Sequence, residues 1–198
     1  MKKIGLTGNI GSGKSLIADI FESMGVAVFQ ADKAGHEALN ESEIIQELLK
    51  RWGSHVLHSN TKQPNRKAIA EIVFKDENEL SFLNELIHPV VLKYFEKWCL
   101  KYEDKPYVIH EAAILFESGF HTYFDKIIFV SAPQALRIQR VMQRDGLQVD
   151  DIINRMNRQW PEDMKIPLAD YIIQNDEQHP LIPQVVHIHE LLSKPSNF

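Results

Sequence analysis

The chain has 198 residues, 44% of them apolar and 25% charged, with a formal net charge of −5; this is the make-up of an ordinary folded domain with room for a proper core. The acidic balance and the lack of a long basic run argue against nucleic acid as the main partner, because a phosphate backbone demands a basic stripe. The single cysteine, Cys99, excludes an internal disulfide; no stretch approaches the ~20 apolar residues of a membrane span and no apolar run follows Met1-Lys2-Lys3, so neither an anchor nor a secretory leader is expected and the expected setting is a reducing cytoplasm.

Lys3-Ile4-Gly5-Leu6-Thr7 reads as a short buried strand, and Leu16-Ile17-Ala18-Asp19-Ile20-Phe21 as a helix that stops at Gly25. Between them, Gly8-Asn9-Ile10-Gly11-Ser12-Gly13-Lys14-Ser15 fits the phosphate-loop pattern Gly-x4-Gly-Lys-Ser/Thr. The glycines let the chain fold tightly round an anion with its N–H groups inward, and the following helix turns a positive N-terminus to the same phosphates. In that pattern Lys14 reaches the β- and γ-phosphates and the Ser15 hydroxyl ligates Mg²⁺. A glycine-rich turn that matches by accident is the plain alternative, and the flanking strand and helix weigh against it.

Val26-Ala27-Val28-Phe29-Gln30 is a second strand, which completes a βαβ unit of a parallel sheet. Ligands of such sheets sit beyond the carboxyl ends of the strands, the rim on which Asp32 is expected. Residues 33–102 are almost all helical in pattern: 33–51, ended by Gly53, then 66–74, 77–87 and 90–102, with His88-Pro89 punctuating the last two. This stretch reads as a helical insertion between strands rather than a separate domain.

Tyr107-Val108-Ile109-His110-Glu111 is the next strand, and Leu115-Phe116-Glu117-Ser118-Gly119 a short helical piece. Lys126-Ile127-Ile128-Phe129-Val130 is apolar throughout after its first residue, as a central parallel strand requires. The helix after Pro133 carries Arg137, Arg140 and Arg144 at i, i+3 and i+7 on one face, with no acid between 126 and 144 to pair them. A further helix begins near Val149, a last strand spans 169–175 and a closing helix 180–192.

Candidate chemistry has a bland reading at every position. Asp32 is either a helix N-cap or a carboxylate placed to accept the proton of an attacking hydroxyl. The pattern Asp32-x-x-Gly35 also fits a GTPase switch, but no Asn-Lys-x-Asp guanine motif accompanies it. The arginine face is either solvated or able to close over a transferring phosphoryl group. Glu111 and Glu117 read as water-mediated Mg²⁺ ligands or as plain ion-pair partners, His88 as a turn or core histidine, and the three tryptophans as packing.

Taken in order, the motifs resemble the dephospho-CoA kinase family over nearly the whole chain. They are Leu6-Thr7-Gly8-x-Ile10-Gly11-Ser12-Gly13-Lys14-Ser15, Ala31-Asp32-x3-His36-Glu37, Leu83-Asn84-x3-His88-Pro89, Leu115-Phe116-Glu117, Arg137-x2-Arg140-x3-Arg144-Asp145-Gly146 and Ala169-Asp170-x2-Ile173-x-Asn175. Relatives usually carry Pro-Leu-Leu where this chain has Ala113-Ile114-Leu115, and Asp-Arg where it has Asn65-Arg66; both departures lie on the acceptor side.

The resemblance implies an α/β P-loop kinase fold in one domain, 1–198. Its five-stranded parallel core would comprise about 1–32, 105–136 and 168–198, with a helical substrate-binding insertion at about 33–102 and a helical lid at about 137–167. It implies transfer of the ATP γ-phosphate to the ribose 3′-hydroxyl of dephospho-CoA, with Mg²⁺ as cofactor. Asp32 is then the base, and Lys14 and Arg140 hold and neutralise the phosphoryl group. Gly11, Ser12, Gly13, Lys14, Ser15, Leu16, Arg137 and Asn175 meet ATP, and Ser15 the metal. Thr7, Asp32, His88 and Leu115 meet the acceptor. No nucleic acid or membrane partner is expected, and the state is a monomer or weak homo-oligomer. The alternatives are another small-molecule P-loop kinase, for a nucleotide or sugar acid, and a non-catalytic nucleotide-dependent switch.

Overall fold

The computed structural model describes residues 1–194; the expected end of the core, 195–198, lies outside the described residues. Close packing divides the chain into two units, 1–30 with 99–198, and 31–98.

The first unit is built on five parallel strands: β1 (Lys2–Gly8), β2 (Val28–Gln30), β3 (Tyr107–Glu111), β4 (Lys126–Ser131) and β5 (Tyr171–Gln174), in the order β2-β3-β1-β4-β5. β1 lies centrally, with Ile4 facing both Ile109 of β3 and Lys126 of β4 in register. Because β2 pairs only with β3, on the side of β1 away from β4, the order reverses at β1. A reversal of this kind opens a crevice at the carboxyl ends of the strands, where the loop after β1 lies.

Helices α1 (Lys14–Ser23) and α9 (Leu181–Ser193) cover one face. Ile17, Ala18 and Phe21 of α1 and Val185, Ile188 and Leu192 of α9 meet Ile4, Leu6, Ile109, Ile128, Val130 and Ile173 of the strands in one buried cluster. The Lys2 ammonium donates to the carbonyls of Leu192 (3.1 Å) and Lys194 (3.0 Å), satisfying groups that the end of α9 leaves open. Helices α6 (Gln134–Asp145), α7 (Val149–Met156) and the one-turn α8 (Glu162–Lys165) follow β4. Val141, Ile152 and Met156 form a second small cluster, against which Ile10 of the phosphate loop packs.

The second unit contains α2 (Ala31–Ala38), α3 (Ser42–Trp52), α4 (Arg66–Val73) and α5 (Glu77–Cys99), whose last residue belongs to the first unit. Two details differ from the sequence reading. The single helix expected over 33–51 is two helices, because the Asn40 side chain donates to the carbonyls of His36 (3.2 Å) and Glu37 (3.3 Å), taking over groups that a continuous helix would bond through its backbone. Conversely, Pro89 does not divide α5. Ile87, Val91, Phe95 and Cys99, spaced by four, are all buried, and the burial of that stripe outweighs the backbone bond lost at proline. Asn65 caps α4 by accepting from Ala68 N at 3.2 Å, a task that asparagine and aspartate perform about equally. Among the described residues no helix is long and apolar enough to cross a membrane.

The sheet-facing side of α1 sets the stability of the first unit. Phe21→Ala, at a fully buried site, is expected to lower the unfolding free energy by about 3–5 kcal/mol in urea titration.

Candidate active site

The phosphate loop turns at two glycines, Gly11 and Gly13, with φ of 79° and 86°. A Cβ is costly in that left-handed region. At Gly11 space is closed as well, since a Cβ would lie 2.5 Å from the backbone oxygen of Arg137. Gly13 caps α1, whose first intrahelical bond runs from Ile17 N to Gly13 O at 3.2 Å. The N–H groups of Lys14, Ser15 and Leu16 therefore precede the helix ladder, as a helix N-terminus that receives an anion requires. Ser15 and Leu16 are exposed there.

The Lys14 ammonium is paired with the carboxylate of Glu111, the last residue of β3 and the register partner of Leu6. Of the two roles open to Glu111 in the sequence, the structure displays the ion pair. Its neighbour His110 is buried between Phe29, with ring centroids 5.4 Å apart, and Phe124, at 4.9 Å. Burial, with the Lys14 charge adding to it, holds the His110 imidazole down to a pKa of about 4.

The three arginines of α6 are not an unpaired face. Their acids come from outside the stretch 126–144: Asp145 for Arg144 (2.7 and 2.9 Å), Glu177 for Arg140 (3.1 Å) and Glu162 for Arg137 (3.6 Å). Arg140 also donates to the backbone oxygen of Asn175 at 3.1 Å. Asn175 is buried and passes the connection on, its Nδ2 donating to Ser12 O at 2.7 Å and its backbone N–H to Ser131 O at 2.8 Å. Arg137 is buried too, and its Nε–H donates to Ala132 O at 3.0 Å. The structure thus brings Arg137, Arg140 and Asn175, far along the sequence, to Gly11, Ser12 and Gly13 of the loop.

Thr7 and Ser12 have buried hydroxyls with no hydrogen-bond partner among the described residues. The side chain of Leu115 lies in the core. The residue is 1% exposed, lies over Gly5, and its carbonyl accepts from Ser118 Oγ (3.2 Å) and His121 N (3.1 Å), so the expected helical piece at 115–119 is a turn that begins in the core at Leu115 and Phe116 and ends exposed at Gly119. Asp32 and His88 belong to the 31–98 unit. Asp32 is exposed in the first turn of α2 rather than at its cap, two residues after β2 ends. His88 lies mid-α5, and partial burial lowers its pKa.

A second polar system escaped the sequence reading. Lys165 is fully buried, 2.5 Å from Glu117 Oε1 and 2.6 Å from Asn9 Oδ1. Gln159 accepts from Ile10 N at 2.7 Å. Nothing local in Glu162-Asp163-Met164-Lys165 marks the lysine for burial, and only the fold turns it inward. Beside this system a cleft of about 670 Å³ is lined by Asn9, Pro133, Arg137, Trp160, Glu162 and Asp176 among others.

An all-parallel sheet reversing at β1, with a glycine loop and a helix N-terminus on the rim of that strand, defines a P-loop phosphotransferase. A model of dephospho-CoA kinase matches residues 2–180, and the chain belongs to that family. The dephospho-CoA kinase of Aquifex aeolicus is 38% identical over 176 residues, 88% of this chain and 89% of the relative. A crystal structure from Thermus thermophilus superposes with a TM-score of 0.85 at 30% identity, covering 98% of both chains. The dephospho-CoA kinase of Campylobacter jejuni does so with a TM-score of 0.70 at 28% identity, covering 96% of both.

His110 makes stability depend on pH. Its folded pKa of about 4 lies below the ordinary ~6.5 of an unfolded histidine. The unfolded chain therefore binds the extra proton between those values, and the contribution, complete above ~6.5, is lost as pH falls toward 4. Denaturation series are expected to show up to about 3 kcal/mol lost across that window, with a shallower slope for His110→Asn.

Proposed function

We propose that this chain transfers the γ-phosphate of ATP to the ribose 3′-hydroxyl of dephospho-CoA, releasing CoA and ADP. What carries the reading is a phosphate loop with left-handed glycines and an adjoining lysine in a chain whose family match runs from residue 2 to 180. ATP lays its phosphates on the N–H groups of Gly11 to Leu16 and draws the Lys14 ammonium from Glu111 to its β- and γ-oxygens. Arg140 and Lys14 neutralise the charge that spreads over the transferring group. Arg137 and Asn175 hold the nucleotide, Thr7 and His88 the acceptor. Asp32 accepts the 3′-hydroxyl proton as the oxygen attacks phosphorus, and the β–γ bridging oxygen leaves with ADP.

Mg²⁺ suits the donor set. Among the described residues no group of three or more His, Cys, Asp or Glu side chains could cage a metal, while Ser15 presents an exposed hydroxyl in the first turn of α1. That is the arrangement of an ion taking one protein oxygen and completing its set with phosphate and water. Bound there, it would withdraw charge from the phosphate oxygens.

In the same reading, residues of about 33–102 hold the acceptor, about 137–167 act as a lid, the site works in a monomer or weak homo-oligomer, and the enzyme operates in the cytoplasm.

A coupled ADP-release assay is expected to show turnover with dephospho-CoA and ATP; robust turnover only with another hydroxyl acceptor would overturn the assignment. Asp32→Asn is expected to keep the KM for ATP and lose kcat by ~10²-fold or more; near-normal turnover would leave Asp32 a first-turn carboxylate and nothing else.

A further inference from the structure

The polar system behind the phosphate loop has no part in the chemistry above, and its layout is not that of an ordinary structural ion pair. Lys165 and Glu117 would satisfy one another without help, yet the buried ammonium makes a second short contact, 2.6 Å, to the side-chain oxygen of Asn9 within the loop. The amide is oriented by chemistry: its Oδ1 faces an ammonium and its Nδ2 donates to Trp160 O at 3.1 Å. Asn9 is itself buried, so the amide has both ends engaged where water would not replace them.

The next residue is held from the same side, Ile10 N donating to Gln159 Oε1 at 2.7 Å. Residues 9 and 10, the two between the first and second glycines of the loop, are thus gripped by one short stretch, 159–165. That stretch is anchored on its far side by three more contacts: Gln159 Nε2 to Ala113 O (3.2 Å), Trp160 N to Glu117 Oε1 (3.0 Å), and Lys165 to Glu117 (2.5 Å). Glu162 adds a fourth anchor, accepting from Ser131 Oγ at 2.7 Å.

Burying a lysine is expensive; desolvation lowers its pKa even with Glu117 opposing the shift. An apolar side chain would fill the space at less cost. What it would not do is hold the Asn9 amide in one orientation, and with it the path of the backbone into Gly11, where the loop meets the α6 backbone with no space for a Cβ.

We propose that Lys165 is a positioning residue of the phosphate site: acting through Asn9, it sets the width of the loop and hence the fit of the triphosphate. This rests on reading the loop as the ATP phosphate site, which the binding of ATP to the unaltered protein tests separately. The stretch 159–165 is accordingly a fixed base, which restricts any closing motion of 137–167 to the residues before Gln159.

The test compares Lys165→Met, Asn9→Ala and the double variant, using ATP affinity by calorimetry and steady-state kinetics. Each single variant is expected to raise both the Kd and the KM for ATP about tenfold, with kcat lowered less than threefold and the KM for the acceptor unchanged. The double variant is expected to be no worse than the more affected single one, since both break the same contact. Ile188→Val, a core truncation on α9, serves as the control: it lowers the Tm and leaves the KM for ATP where it was. If Lys165→Met does not fold, Asn9→Ala decides alone, because it leaves the Lys165–Glu117 pair in place. ATP affinity within twofold of the unaltered protein in the folded variants, or additive effects in the double variant, would reduce Lys165 to a structural ion pair.

Discussion

A loop that keeps N–H groups open for an anion has few left with which to hold itself together. The chain around Gly8–Ser15 has that problem, and much of the first unit is the answer to it. What holds the loop leaves the N–H groups of Lys14, Ser15 and Leu16 alone: Ser12 N donates to Asn9 O within the loop at 2.9 Å, Asn175 donates to the carbonyl of Ser12, Gln159 accepts from the N–H of Ile10, and Lys165 and the Trp160 carbonyl engage the side chain of Asn9. The backbone of Arg137 closes the space beside Gly11. The N–H groups of the first turn of α1 stay outside the helix ladder, whose first bond is from Ile17 N to Gly13 O. Preorganisation of this kind places the electrostatic cost in folding rather than in the reaction.

The same logic governs the charges. Lys14 is paired with Glu111, Arg140 with Glu177, Arg137 with Glu162 and Lys165 with Glu117. Each of these cations is thus kept in a defined place by a carboxylate that lies elsewhere in the sequence. The arginines of α6 have no acid beside them along 126–144 because their partners follow at Asp145 and Glu162 or arrive with Glu177 after β5.

What could be read from the sequence follows from the range of the interactions concerned. The five strands and the helices that cover them were legible because apolar period and glycine punctuation are local signals, and the phosphate loop because its geometry demands glycine at fixed spacing. The helical insertion was legible in composition but not in its breaks. Asn40 ends a helix through its side chain, which period alone does not report, and Pro89 sits inside a helix because four buried residues on one stripe outweigh one missing bond. Of the candidate site, Lys14, Ser15 and the arginines announced themselves by motif. Lys165, Gln159 and Asn9 did not, since a lysine in an acidic turn carries no sign of burial until the fold closes over it. Leu115, which its motif suggests as an acceptor contact, has its side chain in the core, which the motif does not report.

The register of the sheet also constrains how the molecule is made. Lys2 pairs with Tyr107 and Leu6 with Glu111, while β2 pairs only with β3. A ribosome adding 5–20 residues per second therefore exposes the apolar face of β1 for roughly 5–20 s before its first partner exists. In that interval the helical stretch 31–98 is synthesised, and both partners of its own contacts, such as Arg51 with Glu79, exist before β3 does. The anion-binding loop is then translated well before Arg137, Gln159, Lys165 and Asn175, the residues that hold its shape.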